Sequence, residues 1–92
     1  MNAIRSTFEP GRLFITPAAQ DALPPEEVSA ALERHMQGDW GDVSANDSQA
    51  NDEALREGER LFSAYHGSHG GKFWIITERN RSATTVLLPD DY

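Results

Sequence analysis

After Gly58 the spacing of apolar residues changes period, and that change limits the folds open to the chain more than any other feature. Residues 60–65 (RLFSAY), 72–77 (KFWIIT) and 84–88 (TTVLL) are short runs rich in aromatic and β-branched side chains, and they are separated by GSHGG and RNRS, which are turn compositions. Three such runs in succession predict an antiparallel meander of three strands. A tight turn centred on Asn80 and Arg81 sets Glu78 opposite Ala83, Ile76 opposite Thr85 and Trp74 opposite Leu87 on one face. Phe73, Ile75, Val86 and Leu88 share the other, more apolar face, which is the one expected to carry helices. Trp74 is then left on the face away from the helices and needs a cover of its own.

Before Gly58 the period is helical. RLFI at residues 12–15 is a short strand, after which Thr16 is a good N-cap and Pro17 suits the first helical position, so a brief helix over residues 17–23 is expected. Pro24 and Pro25 break it, and Pro25-Glu26-Glu27 restarts a second helix with carboxylates where its dipole favours negative charge. Val28, Ala31, Leu32 and His35 fall on one face of that helix, which Gly38 stops, and His35 therefore points inward. SAND at residues 44–47 has the form of a capping box and opens a polar third helix that ends near Gly58. Its apolar content is thin, with Asn51 at the edge of its inward face, so it depends on docking. The fold class expected is α+β: a short N-terminal strand, about three helices, and the C-terminal meander packed on them, in a single domain over residues 1–92 whose first eleven residues are a disordered lead.

Charge is divided along the chain. Residues 21–59 hold eleven carboxylates against Arg34 and Arg56, a local balance of −9, whereas residues 60–88 carry a balance of +3 and the whole chain −7. An acidic helical layer facing a mildly basic sheet is the arrangement this implies. Generic nucleic-acid binding starts at a disadvantage, because a negative protein repels phosphate at long range. The absence of cysteine excludes disulfides, thiolate zinc sites and thiol nucleophiles. No apolar run approaches membrane-spanning length and the first residues lack a secretory hydrophobic segment, so a cytoplasmic protein without membrane association is expected.

The candidate sites are few. QGDWGD at residues 37–42 places Trp40 between two glycines and two aspartates, and its leading reading is a structural corner in which Trp40 plugs the gap between helices and sheet. The binding reading of the same stretch uses Trp40, Asp39 and Asp42, with Trp74 as a second aromatic anchor. His66 and His69 sit in a glycine-rich loop, but two histidines without a further ligand do not make a zinc site, and Asp39 with Asp42 lacks the extra oxygens a calcium loop needs. No metal and no cofactor are implied. A catalytic alternative combines His66, Arg79, Arg81, Thr85 and Tyr92, which supply the base, acid and cations of metal-independent RNA cleavage. Exposed arginines at a hairpin tip and ordinary strand threonines are the plainer reading of that group.

GDWGD, Asn51, Ala54-Leu55, Gly58, Arg60-Leu61, Ser63-Ala64-Tyr65, WIITE at 74–78, Arg81-Ser82, Thr84-Thr85, Leu87-Leu88-Pro89 and Tyr92 together resemble a family of small bacterial proteins labelled plasmid-related or hypothetical. The similarity runs from about Leu13 to Tyr92. It implies a bacterial source and a link to mobile elements, and carries no activity, substrate or catalytic residue. The expectation for function is accordingly a small intracellular accessory or protein-interaction module whose acidic helical face meets a basic protein partner, with RNA cleavage as the alternative. Self-association into a homodimer has two routes, the uncovered sheet face and the edge of the last strand.

Overall fold

The computed structural model describes residues 7–68 and 71–92. Its elements run β1 (Arg12–Ile15), α1 (Pro17–Ala22), α2 (Pro25–Met36), α3 (Ala45–Glu57), β2 (Leu61–His66), β3 (Lys72–Thr77), β4 (Ala83–Leu87), and a closing 3-10 turn over Pro89–Asp91. This is an α+β fold. The meander is present as β2, β3 and β4, with Trp74 opposite Leu87 and Ile76 opposite Thr85. One correction concerns β1. It lies parallel to β4, with Phe14 beside Thr85 and Ile15 beside Val86, so the sheet is mixed and four-stranded in the order β1-β4-β3-β2 rather than a three-stranded antiparallel one. Parallel neighbours need a long crossover, which the three helices between β1 and the meander supply. The last strand is therefore interior, and the outermost strands of the sheet are β1 and β2.

The helix ends follow their local chemistry. Thr16 Oγ1 accepts the Ala19 N–H at 3.2 Å to open α1, and Ser44 Oγ accepts the Asp47 N–H at 3.0 Å to open α3. Gly58, at φ 76°, closes α3 in the left-handed region. Of the eleven-residue lead expected to be disordered, residues 7–11 are held. Thr7 donates from both its N–H and its hydroxyl to the Met36 carbonyl, and Phe8 meets the His35 ring edge-on at 5.4 Å. Residues 1–6 lie outside the described residues.

Alternation along the strands gives the sheet two unlike faces. On the helix-bearing face Tyr65, Phe73, Ile75 and Val86 pack with Ala19, Leu23 and Ala31, and Ile15, Val28, Leu32 and Leu88 close the margin. Burial of each large apolar side chain there contributes about 1.5–3 kcal/mol relative to exposure. The face expected to carry the helices does so.

A polar chain runs through this layer. His35 is fully buried, with Nδ1 2.5 Å from Ser63 Oγ and Nε2 2.9 Å from Thr77 Oγ1. Thr77 Oγ1 lies 2.7 Å from Thr84 Oγ1, and Thr84 donates to the Pro10 carbonyl at 2.7 Å. Because Thr84 has one proton and uses it on Pro10, Thr77 must donate to Thr84 and can only accept from His35. The ring is thus assigned as the neutral Nε2–H tautomer, with Ser63 donating to Nδ1. Every member is satisfied, and the chain ties α2 to β2, β3, β4 and the segment leading into β1. Burial pushes the imidazole pKa down to about 4, assisted by the nearby Arg81 charge.

The two sheet edges are treated differently. At β2, Asn51 of α3 bonds the strand like a neighbouring peptide: its Nδ2 donates to the Phe62 carbonyl at 2.6 Å and its Oδ1 accepts the Phe62 N–H at 3.0 Å. The backbone of Trp40 and Asp42 does the same for Ala64, through Ala64 N–H to Trp40 O at 3.1 Å and Asp42 N–H to Ala64 O at 2.7 Å. That edge is closed. No described strand or side chain pairs with the outer edge of β1.

Candidate binding cleft

The cleft begins with the corner between α2 and α3. Arg34 in the last turn of α2 grips Asp39 in bidentate fashion, Nε to Oδ2 at 2.8 Å and Nη2 to Oδ1 at 3.2 Å, and its guanidinium lies 4.8 Å from the centre of the Tyr65 ring. Tyr65 in turn donates its hydroxyl to the Asp39 carbonyl at 2.7 Å. The hydrogen bond from Arg34 holds the Asp39 carboxyl below the usual carboxylate range, while burial pushes the Tyr65 phenol up to about 12. With the corner fixed, Trp40 turns inward, 3% exposed, meets the His35 ring edge-on at 5.6 Å, and donates its indole N–H to Asp52 Oδ1 at 2.9 Å. Trp40 is thus the expected plug. It is not available as a surface anchor, and Asp39 is committed to Arg34 and to the Gly41 N–H.

Asp42 leaves the corner on the other side of the β2 edge. Its carboxylate meets His66 Nδ1 at 2.6 Å, with both side chains about half exposed. Here the start of α3 and the open face of the sheet enclose a cleft of about 240 Å³, bordered by Asp42, Ser44, Asp47, His66 and Lys72 over Phe62 and Trp74. Phe62 and Trp74 touch edge-to-face at 4.9 Å, and Tyr92 continues the row beyond Trp74 at 5.8 Å. Arg60 lies over the Tyr92 ring at 5.4 Å and donates to its hydroxyl at 2.9 Å. Ile76 and Leu87 on this face are buried, and the closing turn over Pro89–Asp91 packs against β3. Trp74 has its cover, and Tyr92 is part of it.

The residues named for RNA cleavage are dispersed. His66 is opposite Lys72 at one end of β3, whereas Arg79 and Arg81 are at the turn beyond its other end, roughly 20 Å along the strand. Arg79 is exposed at the hairpin tip. Arg81, at φ 58°, donates to the carbonyls of Glu59 at 2.6 Å, Glu78 at 3.1 Å and Ala54 at 3.3 Å, so its charge fastens the end of α3 to the turn. Thr85 stands in the middle of the open face, opposite Ile76 and beside Phe14. Tyr92 is engaged with Arg60. What the structure does bring together is His66 with Asp42, and Trp74 with Tyr92.

Phe62, Asp47 and Lys72 are cleft residues that sequence reasoning did not single out. The signal for Phe62 was present, since it is separated by even steps from Ala64 and His66 and faces Ile76 once the β2–β3 register is known. Asp47 was assigned only its capping role. A wider hollow of about 380 Å³, bordered by Leu23, Pro24, Glu27, Ser68, Lys72 and Asp90, is formed in part by the β2–β3 loop, whose His69 and Gly70 lie outside the described residues. Among the described residues no group of three or more histidines and carboxylates converges to hold a metal ion, and no helix is long and apolar enough to cross a membrane. Comparison with family models, with curated proteins and with solved structures finds no match to this chain.

Proposed function

We propose that the chain is an accessory protein-interaction module, of the mobile-element kind its resemblance implies, that binds a basic segment of a partner protein in the cleft between α3 and the open sheet face. The observation that carries this reading is the lining: an aromatic floor of Phe62 and Trp74 beside the carboxylates of Asp42 and Asp47. An arginine or lysine side chain lying over the rings gains from the quadrupole of their faces, and its charge meets the carboxylates at the rim. Farther along α3, Asp52, Glu53 and Glu57 against a single Arg56 add a negative field that draws a basic segment toward this helix and rejects an acidic one. His66 holds Asp42 in position, and Lys72 on the far rim limits how many cationic groups enter at once.

The test is a titration of the ¹⁵N-labelled protein with an arginine-rich peptide and a glutamate-rich peptide of equal length, followed by the Trp74 indole and the amides of Asp47 and Phe62. The basic peptide is expected to shift these signals and to bind several-fold more weakly when salt is raised from 50 to about 300 mM. Asp47→Asn should weaken binding up to roughly tenfold, because the rim charge is lost and the hydrogen bond that remains is no longer charge-assisted. Shifts confined to residues outside the cleft, or no preference between the peptides, would refute the proposal.

A further inference from the structure

The outer edge of β1 carries backbone groups that no described residue pairs. The N–H groups of Arg12 and Thr16 go to the Ser82 and Val86 carbonyls of β4, both at 3.0 Å. By alternation the N–H and C=O groups of Leu13 and Ile15 point away from the sheet, where no described group takes them. Leu13 is 56% exposed and Phe14 48%, and with Tyr92 they are the exposed large apolar side chains among the described residues.

We propose that two copies of this chain pair antiparallel along β1 about a two-fold axis at Phe14, joining their sheets into one of eight strands. This register uses all the free groups within the strand: Leu13 of each copy exchanges two hydrogen bonds with Ile15 of the other, and Phe14 meets Phe14 as the close, non-hydrogen-bonded pair. Three further features agree with it. Leu13 lies on the helix-bearing face, and opposite it Ile15 opens a groove of about 250 Å³ with Gln20, Leu23, Pro25 and Val28, which takes the leucine of the second copy. The two Phe14 rings meet on the open face and continue its apolar surface across the axis. Arg12, stacked at 5.8 Å on its own Phe14, comes opposite Thr16 of the second copy, whose hydroxyl donates to Asp91 Oδ2 at 2.6 Å, so the guanidinium reaches a carboxylate. The interface stands apart from the cleft at the β2 edge, and its test is independent of peptide binding.

Equilibrium sedimentation of the intact protein over roughly 1 to 200 µM is expected to show monomer passing to dimer, in the weak range that a short edge interface supports. Phe14→Lys, at an exposed position, should weaken the dimer at least about tenfold while the near-ultraviolet circular dichroism stays unchanged. The chain has no cysteine, so a single introduced one reports the register. In the proposed pairing Phe14→Cys places two Cα atoms about 4.5 Å apart and oxidises to a covalent dimer, whereas Leu13→Cys leaves them roughly 9 Å apart, beyond disulfide reach. A protein that stays monomeric throughout, a dimer indifferent to Phe14→Lys but lost in Trp74→Ala, or equal cross-linking from both cysteine variants overturns the proposal.

Discussion

Lowering the pH from 7.5 to 5 tests the buried chain from Ser63 through His35 to Pro10. In the unfolded protein the His35 imidazole takes its proton near its ordinary value of 6.5, and in the folded protein only near 4, because burial without a carboxylate partner disfavours the cation. Protonation also removes the acceptor at Nδ1, on which Ser63 donates at 2.5 Å. Between the two values the unfolded state binds more protons, so stability falls as the pH falls, starting near 6.5 and finishing near 4. The full difference corresponds to about 3 kcal/mol, of which about 2 kcal/mol is already lost at pH 5. Against a total stability of about 5–15 kcal/mol for a domain of this kind, that is a large share. Asp39 and Asp91, whose carboxyls are held low by Arg34 and by Thr16 respectively, lose their contributions only as the pH drops through those lowered values, below this window. The assay is urea unfolding at pH 7.5 and pH 5.0 of the wild type and of His35→Gln. The variant is expected to be less stable at pH 7.5 but to lose about 2 kcal/mol less on acidification, since its other histidines are unchanged. A wild type whose loss between the two pH values equals that of the variant would show that His35 is not the group being titrated, and the buried neutral chain would have to be abandoned.

Two further substitutions bear on the fold. Asn51→Ala removes both side-chain bonds to the Phe62 backbone, and chemical denaturation should show a loss of about 1–3 kcal/mol with faster hydrogen exchange at Phe62, against little change at Ile75. Gly41→Ala and Gly58→Ala separate conformational strain from crowding: both glycines have φ near +77°, but a Cβ at Gly41 would overlap the Ala64 carbonyl and come within 2.7 Å of the Tyr65 ring, whereas at Gly58 it meets nothing. Gly58→Ala should cost about 1 kcal/mol and Gly41→Ala several times that, with equal losses in thermal unfolding counting against the close approach of the corner to β2.

Much of the fold was legible because local chemistry and tertiary packing agree. Thr16, Ser44 and Gly58 terminate their helices where the residue types demand, and the Asn80-Arg81 turn fixes the β3–β4 register by itself. The inward face of α2 could be read from Val28, Ala31, Leu32 and His35, since one helical period suffices to set it. The pairing of β1 could not, because four residues of RLFI state a strand and nothing in them states which neighbour is parallel. Asn51, expected at the edge of the inward face of α3, is buried for a related reason. Its role as a surrogate strand depends on Phe62, eleven residues away, presenting free backbone at that point. Cleft residues were half visible: Trp74, Asp42 and His66 were singled out one by one, while Phe62 and Asp47 became neighbours of Trp74 only through the β2–β3 register and the placement of α3.

The two proposals constrain each other geometrically. Each cleft sits at the β2 end of its sheet, and each β1 lies at the opposite end. Pairing through β1 therefore keeps both clefts on one side of the eight-stranded sheet, related by the two-fold and separated by seven strand spacings, roughly 34 Å before twist is considered. A partner carrying two basic segments at that separation binds both at once, and its second attachment is governed by effective concentration rather than by the affinity of one cleft. A partner with one segment gains nothing from the dimer. Peptides bearing one and two arginine-rich segments should thus differ in apparent affinity by far more than the factor of two expected from counting sites. Phe14→Lys should abolish that difference while leaving the single-segment peptide unaffected. Equal affinity of the two peptides for the dimer would mean that the clefts and the β1 edge do not act together.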